Sequence, residues 1–374
     1  ARVTDGDSAT SELLINAFTH FNIDDVVGNK RAYVNFTRKL LDEPIPFDKR
    51  RFVIEVLEGV AIDAELVACI RRLVDEGYTI ALDDFIMQPG AEPLLELADI
   101  VKIDVLQYSD EELGECVKRL APYNLTLLAE KVETHEMYDR CRALGFELFQ
   151  GYFLSRPQML TGKRIPASKL AVMELLGRLQ APDISTRALE DVIARDPVLS
   201  IRTLRLVNSA FHRRLSKIES LQRAIAYLGI HQIRSLASLL ALTNLSDKPS
   251  ALRSQTIVRA KMCEELATHF DEENPSAYFS VGLLSTLDAY FDQPLADILE
   301  AMSLHEDLVI ALTDYEGQYG RVLEAVISHE KAEWKNVDWD GLAEMNIFVD
   351  ELNDAYRAAI TWADASGLAS RTIN

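Results

Sequence analysis

The sequence predicts an α/β domain followed by an all-α domain, and three observations carry that expectation. Up to about residue 157, short β-branched runs alternate with helical stretches. After Ser155-Arg156-Pro157 helical spacing takes over and few residues read as strand. In the first half, polar residues gather at the C-terminal ends of the strand runs: Asn35, Glu55, Asp83, Asp84, Lys102, Glu130 and Gln150. Near-continuous apolar strands alternating with helices indicate a parallel sheet covered on its outer face. Polar strand ends all on one side are what a (β/α) barrel shows, because its site lies at the C-terminal rim.

The strand runs fall at 32–36, 52–57, 79–85, 100–105, 125–132 and 148–154, with helical patterns at 64–76 and 135–144 between them. A further helix is expected over 11–21. In the second half 170–179, 186–195, 201–207, 222–228, 233–242 and 258–270 all repeat at helical spacing. Asp196-Pro197 and Gly229 are the expected breaks between helices. Thr161-Gly162-Lys163 and Pro166 interrupt both rhythms, so the expected domains are 1–157 and 166–374. No internal repeat or low-complexity stretch stands out.

A chain of 374 residues, nearly half apolar, is long enough for two packed cores. Its formal charge of −20 repels DNA and anionic membranes, so neither is an expected partner. Cys69, Cys116, Cys141 and Cys263 lie far apart and read as reduced, packed thiols of a cytoplasmic protein. No apolar run is expected to reach the length of a membrane span, and no signal-peptide pattern opens the sequence as given. The abrupt opening on Ala1 raises the expectation of a preceding segment.

The strand ends carry the chemistry. Glu55 and Glu58 sit in "IEVLEGV", Asp83 and Asp84 end the next run, Lys102 and Asp104 stand in "VKID", and Glu130 and Glu133 in "LLAEKVET". Carboxylates on neighbouring parallel strands converge at one barrel mouth. Hard oxygen donors of this kind suit Mg²⁺ or Mn²⁺, and two such ions polarise a phosphodiester and activate water. The plain alternative for any one carboxylate is a loop cap. Asp84 would then cap its loop and Asp83 would pair with Lys102. The seven histidines are scattered without metal-ligand spacing.

These motifs resemble the EAL domain, the cyclic di-GMP phosphodiesterase barrel. "YVNF", "IEVLE", "ALDDF", "VKID", "LLAEKVET" and "FQGYFLSRP" are similar to its motifs, in its order, over roughly 30–157. The resemblance implies Asn35, Glu55, Asp83, Asp84 and Glu130 as metal ligands and Lys102 as the group assisting the nucleophilic water. It implies Glu58 steadying the metal-site loop, with Glu133 and Gln150 supporting the site. Three departures count against activity. The glutamate that names the family is not on a strand before Asn35; "SELL" at 11–14 imitates it but reads as helix. "DDFIMQPG" replaces a glycine-rich loop with a bulky, apolar one. Lys131 stands where the family has glycine.

The second half resembles the HDOD domain, an all-helical relative of the metal-dependent HD hydrolases. "RDPVLSIRTLRLVNSAFHRR", "IESLQRAIAYLGIHQIRSLASLLAL" and "SAYFSVGLLSTLDAY" carry the likeness over about 165–300. The His-Asp metal pair of an HD hydrolase would follow "GLL", where Ser285 and Thr286 stand, so no metal is expected in this half. Asn208 and Ser209 in "VNSAF" are expected to close a helix end through backbone bonds.

The resulting expectation is a signalling protein with a degenerate, non-catalytic EAL barrel, possible homodimerisation, and an HDOD domain that contacts another signalling protein. Two alternatives stay open. One is an active or weak Mg²⁺-dependent phosphodiesterase yielding linear di-GMP. The other is a cyclic di-GMP receptor without hydrolysis, with Lys102 and Lys131 offsetting phosphate charge.

Overall fold

The structure, a computed structural model, describes residues 27, 30–42, 48–151, 153, 166–208, 218–245, 248–270, 272–302, 304–366 and 368. The expected helix at 11–21, the "SELL" stretch, Ser209 and the 158–165 linker lie outside these residues. The chain divides into two compact units, 1–153 and 154–374.

In the first unit six parallel strands pair in sequence order: β1 (Ala32–Phe36), β2 (Phe52–Val56), β3 (Thr79–Leu82), β4 (Ile100–Asp104), β5 (Thr126–Glu130) and β6 (Leu148–Phe149). The crossovers start and stop where their caps dictate. The helix Ala64–Glu76 begins on Asp63, whose side chain accepts from the Leu66 amide, and ends at Gly77 in the left-handed conformation, φ 91°. His135–Leu144 begins on Thr134 and ends at Gly145. Asp110–Leu120 carries a reciprocal Ser109/Glu112 capping box. The helix Ala64–Glu76 buries Leu66, Ile70 and Leu73 along one stripe and packs against β3.

Partners in parallel register point to the same face. Val53, Ala81, Ile100 and Leu128 share one face and form a small apolar cluster there. Ile54, Ile80, Val101, Ile103 and Ala129 point the other way and are buried too. A sheet covered on both faces explains the unbroken apolar runs. The third run stops short of the expected 79–85. Asp84 adopts φ 41° and turns the chain out of the strand after Leu82, although the Asp83 amide still bonds Val56 O at 3.0 Å and the Phe85 amide bonds Lys102 O at 2.9 Å.

The glycine of "FQGYF" has a steric cause. Gly151 sits at φ 154°, and a Cβ there would lie 2.0 Å from Val132 O and 2.5 Å from Val132 N. Gly151→Ala is therefore expected to destabilise this end of the sheet by about 3 kcal/mol, read as faster hydrogen exchange in β5 and β6. A cost under about 0.5 kcal/mol would mean that this strand end is free to move away from Val132.

The second unit is helical: Ala167–Leu179, Thr186–Ala194, Pro197–Val207, Leu221–Leu242, Ser250–His269, Pro275–Leu284, Leu287–Phe291, Leu295–Glu300, Glu306–Thr313, Gly317–Glu330, Trp339–Ala343 and Val349–Ser366. Asp196 caps Pro197–Val207 through the Val198 and Leu199 amides, with Pro197 at the first position. Asn208 closes that helix. Its Nδ2 donates to Leu204 O and Ile218 O, and its Oδ1 accepts from the Ile218 amide. The core gathers Leu176, Ile193, Leu236, Phe279, Leu323 and Trp362, among others.

The expectation that no run reaches membrane length needs correction. Leu221–Leu242 is long and apolar enough by length and composition, with a mean hydropathy of 1.3 over its most apolar window. Gly229, at φ 84° and ψ 162°, breaks it into two helical segments, and 61% of that window is buried inside the fold. Its apolar residues serve the core of the helical unit.

Candidate functional site

The period of two along each strand builds the site. One step beyond the apolar layer of Val53, Ala81, Ile100 and Leu128, the same face presents Glu55, Asp83, Lys102 and Glu130. The Lys102 ammonium sits at the centre. Its Nζ lies 2.6 Å from Glu55 Oε1, 2.5 Å from Asp83 Oδ1 and 3.0 Å from Glu130 Oε1. Lys102, Glu55 and Glu130 are buried at 5%, 6% and 7% exposure, so solvent screens these pairs little.

Burial alone would depress the Lys102 pKa, but hydrogen bonds to Asp83 and Glu55 outweigh it and hold the ammonium well above its ordinary value. Burial raises Glu55 and Glu130, with Lys102 opposing the rise in both. When all three acids are ionised, three carboxylates face one ammonium, which leaves an excess of two negative charges in the buried ring.

Asp104 lies two residues beyond Lys102 and is the register partner of Glu130. It accepts from Lys131 Nζ at 2.5 Å, Gln107 Nε2 at 3.1 Å and the Leu106 amide at 3.0 Å. Burial pushes Asp104 up, yet these donors, Lys131 first, hold its carboxyl below the ordinary value. Lys131 itself has φ 56°, the left-handed region that favours glycine. Its cation engages Asp104 first, with Asp84 and Glu130 within electrostatic reach.

The other sequence-derived residues fall around this centre. Asn35 is the register partner of Glu55, with an exposed side chain. Asp84 does not cap its loop through Oδ1: that oxygen is buried and has no hydrogen-bond partner among the described residues. Glu58 is exposed. With Asp83 and Asp84 it lines a cavity of about 350 Å³ whose remaining walls include Ile62, Phe85 and Ile86. Glu133 is half-buried. Gln150 is exposed, and its backbone joins Ala129 O and the Val132 amide.

The carboxylate and amide donors suit a hard divalent cation in kind, and the unpartnered Asp84 Oδ1 is the sort of atom such an ion would satisfy. In arrangement, Lys102 stands in the way. Among the described residues no three His, Cys, Asp or Glu side chains converge closely enough to hold a metal ion. The Asp104–Lys131 clamp escaped sequence reasoning, although a lysine between two glutamates at a glycine-favouring position was its signal.

In the helical unit Ser285 and Thr286 bond backbone at Gly282 O and Leu283 O. Ser285 Oγ also accepts from Arg259 Nη1 at 3.0 Å. His269 approaches Asn346 O, His305 approaches Asp307, and His329 approaches Asn353.

Comparison with known proteins agrees with both halves. The EAL domain family matches residues 11–157, and the HDOD domain family matches 165–293. The uncharacterized protein YuxH of Bacillus subtilis is 33% identical over 371 residues, covering 96% of this chain and 90% of its own length. The cyclic di-GMP phosphodiesterase CdgJ of Vibrio cholerae is 31% identical over 366 residues, covering 96% and 84%. Among solved structures, Bacillus subtilis YkuI, an EAL-domain protein in complex with cyclic di-GMP and calcium, covers 60% of this chain and 62% of its own. Its TM-score is 0.34, at 19% identity. An HDOD-domain protein of unknown function from Geobacter sulfurreducens covers 54% and 73%, at TM-score 0.34 and 18% identity.

Proposed function

The chain belongs to the EAL–HDOD family of two-domain proteins related to cyclic di-GMP phosphodiesterases, and from that premise we propose that it is a cytoplasmic signal-transduction protein whose barrel is not a working phosphodiesterase. Its helical half would contact another signalling protein. The observation that carries this reading is the Lys102 ammonium, bonded to one oxygen each of Glu55, Asp83 and Glu130. An ion sharing those carboxylates would have to sit against a buried ammonium that already has three partners there. Two features support the same reading. The second cation at the rim, Lys131, is engaged by Asp104. The loop after Asp84 carries buried Phe85 and exposed Ile86 where the family resemblance calls for a glycine-rich loop.

Asp84 Oδ1 favours a second reading, a Mg²⁺- or Mn²⁺-dependent cyclic di-GMP phosphodiesterase. The buried, unpartnered oxygen and the surplus of carboxyl groups over the single ammonium of the ring both favour a further cation. Asn35, Glu55, Asp83, Asp84 and Glu130 would hold it. Bound there, a divalent ion polarises a phosphodiester and lowers the pKa of water. Lys102, released from the ring, would face the phosphate or orient the water.

Calorimetric titration of cyclic di-GMP with Mg²⁺ and then Ca²⁺, followed by chromatography of the nucleotide, separates these readings. The expected result is intact nucleotide after incubation with Mg²⁺. Linear product that disappears in Asp83→Asn would overturn the proposal in favour of the second reading. Binding heat with intact nucleotide would make the barrel a receptor.

A further inference from the structure

The helix Pro197–Val207 buries Leu199, Thr203, Leu206 and Val207 and turns a different face outward. On that face Val198 is 57% and Ile201 53% exposed, and Arg205 is exposed too. Spacings of three and four residues put these side chains on one stripe. Single exposed apolar residues are ordinary. Two β-branched ones a turn apart are less so, because they are poor helix formers and a solvated position gives them nothing to pack against. Asp196 and Pro197 already start this helix, so Val198 and Ile201 serve neither its cap nor the core.

The charge around this stripe runs against the rest of the chain. The sequence holds 59 Asp and Glu against 39 Lys and Arg, yet Pro197–Val207 contains Arg202 and Arg205 and no acid. It packs against Leu221–Leu242, whose first segment, up to Gly229, carries Arg223 and again no acid. The bonds of Asn208 to Ile218 tie the two helices at one end. Arg205 lies three residues before that tie and Arg223 five after it. Both are exposed, and neither guanidinium makes an ion pair among the described residues. Arg205, in a last turn, suits the helix dipole, but Arg223, in a first turn, is opposed by it. Arg202 donates to Asn244 Oδ1. At the margins, exposed Arg195 and Glu219 offset each other, and the Asp196 carboxylate is taken by its two capping amides. A positive, partly apolar face on so acidic a protein attracts carboxylates that the rest of its surface repels.

We infer that the stripe of Val198, Ile201 and Arg205, extended by Arg223, is where the helical half takes hold of another protein. The occupant is an acidic segment with apolar anchors one helical turn apart. Its apolar side chains cover Val198 and Ile201, and its carboxylates meet Arg205 and Arg223. The inference rests on the reading that this half contacts a signalling partner, and adds the surface used and the charge the partner brings.

The test is calorimetry on the full chain with a blocked glutamate–leucine peptide of about four helical turns, its leucines along one face. Two control peptides replace its glutamates by lysine or its leucines by glutamine. The first peptide should bind at one saturable site, more weakly as salt is added, and neither control should bind. Ile201→Glu should weaken binding about tenfold or more by setting a carboxylate against an acidic ligand. Arg205→Glu should weaken it about threefold to tenfold. Val349→Glu, at an apolar residue 46% exposed elsewhere in the helical unit, should leave binding as it was. Glutamate is a better helix former than isoleucine, so Ile201→Glu should not lower the urea midpoint. A lowered midpoint would mean that the stripe serves the fold and would overturn the inference. So would equal binding of the lysine peptide, displacement of the peptide by duplex DNA, or self-association that Ile201→Glu abolishes, which would make a second copy the occupant. Binding that survives Ile201→Glu would overturn it too, while leaving the helical half a contact elsewhere and the broader reading intact. Failure of that reading shows separately, as linear product from cyclic di-GMP.

Discussion

Lys102→Met is expected to destabilise the first unit by about 3–5 kcal/mol, the usual cost of removing one partner from a buried ion pair. The cause is what the substitution leaves behind. Glu55, Asp83 and Glu130 each give one oxygen to the Lys102 ammonium, and the two glutamates are almost fully buried. Without the cation, neighbouring carboxylates repel in a weakly screened layer and take up protons instead. The deficit therefore depends on pH. Burial already raises Glu55 and Glu130 in the folded chain. The folded state thus holds protons that the unfolded state has released, and stability falls as pH rises through that window. Removing Lys102 extends the window upward. The deficit should be largest at neutral pH and shrink as pH falls toward the ordinary glutamate value of 4.5. All three tryptophans, Trp334, Trp339 and Trp362, lie in the helical half, so the measurement is hydrogen exchange in β2, β4 and β5 across a pH series. A variant as stable as the parent at pH 7 would show that another cation already balances the ring, which would favour the metal-dependent reading.

The fold and the site were legible to different depths, for physical reasons. The first strand, 32–36, and the helices 64–76 and 135–144 were read with the bounds the structure shows, because apolar period and caps agree there. The ring was legible as a set of polar strand ends, because parallel register carries side chains two residues past the apolar layer to one rim. Its pairing was less so. Asp83 and Lys102 were matched from sequence, but the other two bonds of Lys102 depend on where its flexible stem points. The third strand was read too long, since nothing in "ALDDF" announces the left-handed φ of Asp84. Gly229 was read as a helix break, and it is one, yet the segments on either side of it run on closely enough to form one long apolar stretch. Contacts between distant helices were not legible at all. Arg259 and Glu330 lie 71 positions apart, and no periodic pattern links them.

That pair gives the second large expected effect. Arg259, 7% exposed, grips Glu330 with two parallel bonds, Nε to Oε1 at 2.9 Å and Nη2 to Oε2 at 2.6 Å. Gln255 Nε2 adds a bond to Oε2 at 2.9 Å, and Arg259 Nη1 reaches Ser285 Oγ at 3.0 Å. The cluster ties Ser250–His269 to Gly317–Glu330 and to the end of Pro275–Leu284. Burial opposes the charged guanidinium, but Glu330 outweighs it, and the Arg259 pKa is raised. Arg259→Met should cost the helical unit about 3–5 kcal/mol, because it strands the Glu330 carboxylate. The double variant Arg259→Met/Glu330→Met should recover most of that loss, since apolar side chains of similar size replace a buried pair at little net cost. Tryptophan emission in urea reports both. A double variant no better than the single would show that the shape of the guanidinium, and not its charge balance, holds the helices. The cluster also bears on the chemistry of this half. Resemblance to the HD hydrolases puts a metal-binding pair directly after Gly282-Leu283-Leu284, and here Ser285 accepts from a guanidinium instead. A covalently fixed, permanently charged cation serves the polar centre of the helical unit, so a chelator should leave its urea midpoint where it was.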